Sequence, residues 1–410
     1  MGNNLMQSCP GPGEAPQRVP SQVSSAIRRP MRGFRHLIRC CRMWRLRTRR
    51  GLQARRRVQR AQQVGGLDQD GLRQCLRIAC AGTAGFIVSQ VLDTGFGVFY
   101  IVFPVFLLGI LPTINGHIIR QFIAAAVLSC VEVALLQRFL GHSPVMMTLA
   151  VFALFYGRFL LMAKGPLFLL GANGTLVLSI MLHFSSYPDT DIGDMFVSSV
   201  SASVFALAIA LLMWVLFPNT ESRPPAVRPK RSSAVIRHHS LLGGLIATLS
   251  FAVFQTFNLR DSLSAQVSTI IILLALNYPA ALLSARKRAL GTLLGCSLAL
   301  FMQLLLYSHG DNLLLVLPCL WIGMMIFARA HVLEGGASGI GFGGLMTLAI
   351  LFGQYVAPDQ DLIFSALYRF SSVCAALIFV LGALLAVGWF LNRFELTREY
   401  PTADNAGAAT

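Results

Sequence analysis

An ionisable side chain inside a long apolar run costs about 2.5–3.5 kcal/mol to insert into a bilayer, so each one needs a reason. Glu132 lies in AAAVLSCVEVALL, with no basic residue within one turn. A carboxyl taken out of water holds its proton more tightly, which suits a group that loads and releases protons. The same position also suits a structural carboxyl hydrogen-bonded to a neighbouring helix. Arg158 in LFYGRFLLMAKG and Arg329 in MIFARAHVLEGG form a second pair. Two guanidinium groups can flank the path of an anion and bind its carboxylate bidentately. They can equally reach from helix ends to the cytoplasmic interface. Arg120 and Lys287 are read as anchors at that face, and Arg369 as an arginine snorkelling at the other.

Each arginine of the pair precedes a glycine-rich stretch, GPLFLLGANGT at 165–175 and GGASGIGFGG at 335–344. Glycine at this density permits an unwound segment or a very close helix approach. Matched interruptions in two halves of a chain point to a transporter binding site, which makes Gly171, Asn173, Gly174, Gly341 and Gly343 candidate ligand contacts. As a dinucleotide motif GIGFGG fails, because no strand precedes it. No GxxxxGK[ST], HExxH or GxSxG sequence is present. The nine cysteines show no metal-ligand spacing, and neither a metal nor a cofactor is expected. His238 and His239 are expected as a solvated pair in a basic linker.

The elements that position these residues follow from composition. Of 410 residues, 55% are apolar and 12% charged, with a mean hydropathy of +0.64. Soluble domains carry about twice that charge, so the chain is read as an all-α polytopic membrane protein. Twelve apolar runs have the length of membrane helices: 76–92, 96–111, 118–139, 144–163, 166–183, 195–217, 240–257, 262–279, 289–307, 312–329, 337–356 and 363–391. The second and fifth are short and interrupted by Gly or Pro.

Residues 1–75 hold 16 arginines and 3 acidic residues, so +13 of the net +17 belongs to them. This stretch is read as a disordered cytoplasmic tail held at anionic lipid, not as a nucleic-acid arm. A transit peptide, or a leader read from a start codon placed too far upstream, would share its composition. With the N-terminus inside, the loops bearing Arg120, Lys164, Arg223 to Arg237, Arg286 to Arg288, Arg329 and Arg393 all fall inside. The opposite loops carry Asp93, Asp189, Asp191, Asp194, Asp261, Asp311, Asp359 and Asp361. Both termini are therefore expected to be cytoplasmic.

The basic, Pro-rich stretch 218–239 divides the chain into a first repeat at 76–217 and a second at 240–393, with a C-terminal tail at 394–410. GTAGFIVSQ at 82–90 aligns with ATLSFAVFQ at 247–255. Further matches follow in order: Pro112 with Pro279, Arg120 with Lys287, Arg158 with Arg329, Gly165 with Gly336, and Trp214 with Trp389. Six helices per copy predict two parallel repeats related by an axis along the membrane normal.

LRIACAGTAGFIVSQVLDTGFGVFYIVFPVFLLG and NYPAALLSARKRALGTLLGC, within two six-helix halves, resemble the fusaric acid resistance and aromatic acid exporter superfamily, in its short bacterial branch. The resemblance covers residues 71–393. It implies an inner-membrane exporter of aromatic or amphipathic organic acids or drugs. A periplasmic membrane-fusion adaptor and an outer-membrane channel would be its partners. The large soluble domain that longer members carry between the halves is absent from 218–239. Together these readings predict proton-coupled efflux of a small organic anion, and not an enzyme. The anion would pass Arg158 and Arg329 and bind near two broken helices, while proton uptake through Glu132 drives the halves to alternate. A homo-oligomer is compatible with this. Three other readings stand beside it. One is a passive organic-anion channel. The second is an embedded enzyme acting on lipid-like substrates, for which His331 and Glu334 would be the groups to test, and the third is an accessory subunit that only scaffolds an adaptor.

Overall fold

The computed structural model describes residues 67–93, 95–111, 114–187, 190–219, 232–259, 262–274, 278–306, 312–335, 339–355 and 362–398. Most of the arginine-rich tail, the centre of the linker between the proposed halves and the last twelve residues lie outside the described set. The described chain is almost wholly helical. Its first six helices are α1 (Gln69–Leu92), α2 (Val98–Ile110), α3 (Gly116–Leu140), α4 (Pro144–Lys164), α5 (Phe168–Ser185) and α6 (Ile192–Leu216). The next six are α7 (Ser233–Thr256), α8 (Leu263–Leu273), α9 (Tyr278–Leu305), α10 (Leu313–Glu334), α11 (Ile340–Tyr355) and α12 (Leu362–Leu391).

Short polar residues start several of these helices. The side chains of Asp68, Asn115, Asp191, Ser232 and Asn312 each accept a backbone N–H of the first turn, which replaces an intrahelical partner the terminus lacks. Glycine ends two of them. Gly165 after α4 and Gly335 after α10 have φ of 98° and 70°, a region that a side chain disfavours.

Nine helices among the described residues are long and apolar enough to cross a membrane, and three further apolar helices are shorter. The chain is thus a multi-pass membrane protein. Large apolar side chains such as Phe139, Val215, Leu314 and Ile378 are more than two-thirds exposed. Such a surface matches hydrocarbon, not water.

Burial divides the helices into an outer set and an inner set. Every residue of α8 is buried, as are twelve of the thirteen in α2 and nearly all of α5. Residues 341–351 of α11 are buried too. These four inner helices pack in pairs, α2 on α11 and α5 on α8. Each major packing also has a counterpart six helices further on. The α4–α7 contact is matched by α10–α1, α3–α5 by α9–α11, α2–α6 by α8–α12, and α3–α6 by α9–α12.

All twelve apolar runs coincide with helices, but several boundaries move. The first helix begins at Gln69 instead of 76, inside the stretch expected as tail, and the tenth ends at Glu334 instead of 329. The seventh helix begins at Ser233 instead of 240, so His238 and His239 are buried in α7 and not solvated in a linker. His238 Nδ1 lies 2.7 Å from the Thr397 carbonyl, tying α7 to the segment after α12. The eighth helix stops at Leu273, well short of 279. The ninth begins at Tyr278 instead of 289, which turns Arg286, Lys287 and Arg288 from loop residues into helical ones. At the start of α1, Arg73 donates to the Pro218 carbonyl (2.9 Å). Arg77 stacks on Trp214 and donates to Asn219. The beginning of α1 is thereby fastened to the end of α6.

Candidate functional site

Glu132 and Arg158, 26 residues apart and on different helices, form one ion pair. A carboxylate oxygen of Glu132 accepts from Arg158 Nη2 at 2.8 Å. Ser129, one turn before Glu132, is a longer partner of the same nitrogen at 3.5 Å. The Arg158 side chain is 3% exposed and that of Glu132 15%. The α4 stripe Val151, Phe155, Arg158, Phe159 and Met162 explains the placement, since its members recur at three- and four-residue intervals and are all buried. Arg158 therefore does not reach to the interface.

The glycines of α5 make room for this pair. A Cβ at Gly174 would stand 2.8 Å from Arg158 Nη1. At Gly171 it would stand 2.6 Å from the Arg158 carbonyl oxygen and 2.9 Å from the Met162 amide nitrogen. The stretch 168–185 is one unbroken helix. The break lies before it, at 165–167, and the glycines serve close packing of α5 on α4. Asn173, beside Gly174, is 1% exposed. Among the described residues neither atom of its amide has a hydrogen-bond partner, and nor has Arg158 Nη1. A buried polar group in that condition costs about 1–3 kcal/mol, which marks Asn173 and Arg158 as groups able to receive a polar ligand.

The second glycine-rich stretch lies elsewhere, where α9, α10 and α11 pack together. A Cβ at Gly341 would run into the backbone of His331 in α10, and Gly343 faces Gly291 of α9 with 3.1 Å for a Cβ. Arg329 is exposed on α10, while its expected partner Arg158 is buried against Glu132. The two arginines thus stand in different settings.

Two buried arginines escape a reading by charge alone. Arg288 of α9 is 3% exposed. It donates from Nε to Ser268 Oγ at 3.0 Å and, less closely, from Nη1 to the Gly343 carbonyl at 3.5 Å. Arg369 of α12 is 1% exposed and donates to Ser264 Oγ, so it does not snorkel. A signal for Arg288 is present in the chain. It shares a three- and four-residue stripe with Ala281, Ser284, Ala285, Thr292 and Cys296, all buried, whereas Arg286 falls on the exposed face with Leu283 and Leu290.

The two inner pairs differ in chemistry. On α5 and α8, Gln266 bridges two helices by donating to Ser179 Oγ (2.7 Å) and accepting from Ser250 Oγ (2.8 Å). Ser264, Ser268 and Thr269 are buried on the same short helix. The α2–α11 pair instead presents Phe99, Phe103, Phe106 and Phe342, with Phe106 and Phe342 in ring contact. Arg158 meets the polar pair through Gly174 of α5. Arg288 and Arg369 meet it through serines of α8.

Residues 74–213 match a family described as "Protein of unknown function (DUF2955)". No curated protein and no solved structure matches the chain. The matched segment is similar to that family across α1 to α6, which includes Glu132, Arg158, Gly171, Asn173 and Gly174.

Proposed function

We propose that this chain is a bacterial inner-membrane transporter that expels small aromatic or amphipathic organic acids, with proton binding at Glu132 governing anion binding at Arg158. The observation that carries this reading is the 2.8 Å ion pair between these residues inside two apolar helices. A guanidinium group held by one carboxylate is occupied. When Glu132 takes a proton its charge is lost, and Arg158 becomes open to a substrate carboxylate beside Asn173. Proton and anion then favour each other's binding, as linkage requires.

That sign differs from a cycle in which proton and anion bind in turn. Glu132 takes its proton from the cytoplasmic side and returns it there once the anion has left, so the anion's charge alone crosses. Expulsion is accordingly powered by the membrane potential, at about 2.3 kcal/mol per charge per 100 mV, while the proton sets when Arg158 is available. On losing its proton, Glu132 reclaims Arg158 and resets the site.

The repeated packing of helices six apart supports two six-helix repeats, and alternating basic and acidic loops support cytoplasmic termini. The resemblance to aromatic acid exporters is the ground for the substrate class and for a periplasmic adaptor with an outer-membrane channel as partners.

The test is accumulation of labelled 4-hydroxybenzoate in inside-out vesicles carrying a lumen-positive potential. Wild type is expected to accumulate the acid, faster as the external pH falls. Glu132→Gln is expected to lose that pH dependence. Flux that follows the potential but is identical in both proteins would belong to a passive anion channel and would overturn the carrier reading. Absence of flux with the adaptor present would overturn the substrate class.

A further inference from the structure

Arg288 carries a full positive charge in the interior of a membrane protein, and among the described residues it bonds only to neutral groups. Its described partners are the Ser268 hydroxyl and the Gly343 carbonyl. No carboxylate pairs with it among the described residues. This contrasts with Arg158, which has Glu132. A guanidinium cannot shed its proton to escape the cost of burial, and an uncompensated buried charge costs several kcal/mol. A second guanidinium group is bound to the same short helix. Arg369 donates to Ser264, four residues before Ser268 and so on the same face of α8. Two guanidinium groups from α9 and α12 thus converge on one face of a short helix that is buried throughout.

We infer that Arg288 is the centre of a second anion-binding site, with Ser268 as its hydroxyl group and Arg369 and Ser264 beside it, for a small monovalent anion such as a carboxylate or a halide. The site does not depend on the transport reading. It lies in the second half of the chain, whereas Glu132 and Arg158 lie in the first. Among the described residues no acidic side chain competes for Arg288, so occupancy of this site is independent of the proton that governs Arg158. Serine hydroxyls and a backbone carbonyl now hold the guanidinium in position. An arriving anion supplies the missing countercharge, and charge-assisted hydrogen bonds to it are roughly twice as strong as those to neutral acceptors.

Equilibrium binding of labelled benzoate to the full chain in lipid nanodiscs tests this. Measurements on wild type, Arg158→Gln, Arg288→Gln, Arg288→Lys and Ser268→Ala would be compared near neutral pH. Arg158→Gln is expected to retain one binding component, and Arg288→Gln to lose that component or weaken it about ten-fold or more. Arg288→Lys should restore part of it, since charge remains but the planar fork does not. Ser268→Ala, a small change at the same site, keeps the test readable if Arg288→Gln does not fold, and should weaken the same component. Displacement of the label by chloride in Arg158→Gln would assign the site to monovalent anions in general. Resistance to chloride would assign it to carboxylates. Unchanged binding in Arg288→Gln and Ser268→Ala would overturn the second site. Loss of pH-dependent flux only in Glu132→Gln would leave the transport reading standing by itself.

Discussion

The α-carbon of Gly174 faces the guanidinium of Arg158 so closely that a Cβ there would stand 2.8 Å from Nη1. The backbone of α5 is therefore part of the wall around the buried charge. Gly171, three residues earlier, faces backbone atoms of α4 instead. The two glycines separate binding from folding. Gly174→Ala meets the movable end of a side chain and should displace the Arg158 head group with little loss of stability. Gly171→Ala pushes helix against helix and should cost about 1–3 kcal/mol. Thermal unfolding in detergent, measured beside benzoate binding, checks both. A stable Gly171→Ala with normal binding would refute the close-packing role.

Breaking the ion pair should be asymmetric. Arg158→Leu leaves Glu132, which can take up a proton and become neutral. Glu132→Leu leaves a charge that no proton loss removes. The second change is expected to be the more destabilising, within the about 3–5 kcal/mol typical of stranding one partner. The double replacement should lie above the sum of the two. Added benzoate should recover more stability in Glu132→Leu than in Arg158→Leu, which keeps only the second site. Equal recovery in the two variants would argue against an anion at Arg158.

Gln266 joins α5, α7 and α8 through Ser179 and Ser250. Gln266→Leu should lower stability by about 1–3 kcal/mol by stranding buried hydroxyls. Combining it with Ser179→Ala should recover part of the loss, because both partners are then apolar. A double-mutant cycle on unfolding midpoints reads this directly.

Orientation can be read by labelling. With cysteine-free protein in intact cells, a membrane-impermeant maleimide should modify Thr190→Cys, in an acidic loop, and spare Lys164→Cys at the end of α4. The opposite pattern would invert the topology and place the termini outside.

The twelve helices were legible because apolar runs of membrane length have few other uses. Their ends were less so. Charge in a membrane sequence is read as loop or interface, and that rule misplaced Arg288, Arg369 and His238, all of which are buried. Glu132 and Arg158 each stood out as embedded ions, yet their pairing was not readable. Contact across helices depends on how each helix is rotated about its axis, and sequence spacing within one helix does not report that. The same gap explains Arg329. It aligns with Arg158 along the chain, but it faces outward while Arg158 faces α3 and α5. The glycine-rich stretches allowed either an unwound segment or a close helix approach, and at Gly171, Gly174, Gly341 and Gly343 close approach is the one observed.

The shortness of α8 has an electrical consequence. Eleven residues of helix are about 16 Å long, roughly half of a hydrocarbon layer of ~30 Å. With water at both ends of so short an inner helix, the voltage across the membrane would fall over a shorter path, and the local field would rise in proportion. Arg288 and Arg369 both touch that helix. Under the proposed transport, an anion stepping past it would cross much of the potential drop within a few side-chain lengths. Small rearrangements around α8 can therefore carry a large electrical load, without the two halves of the protein swinging far.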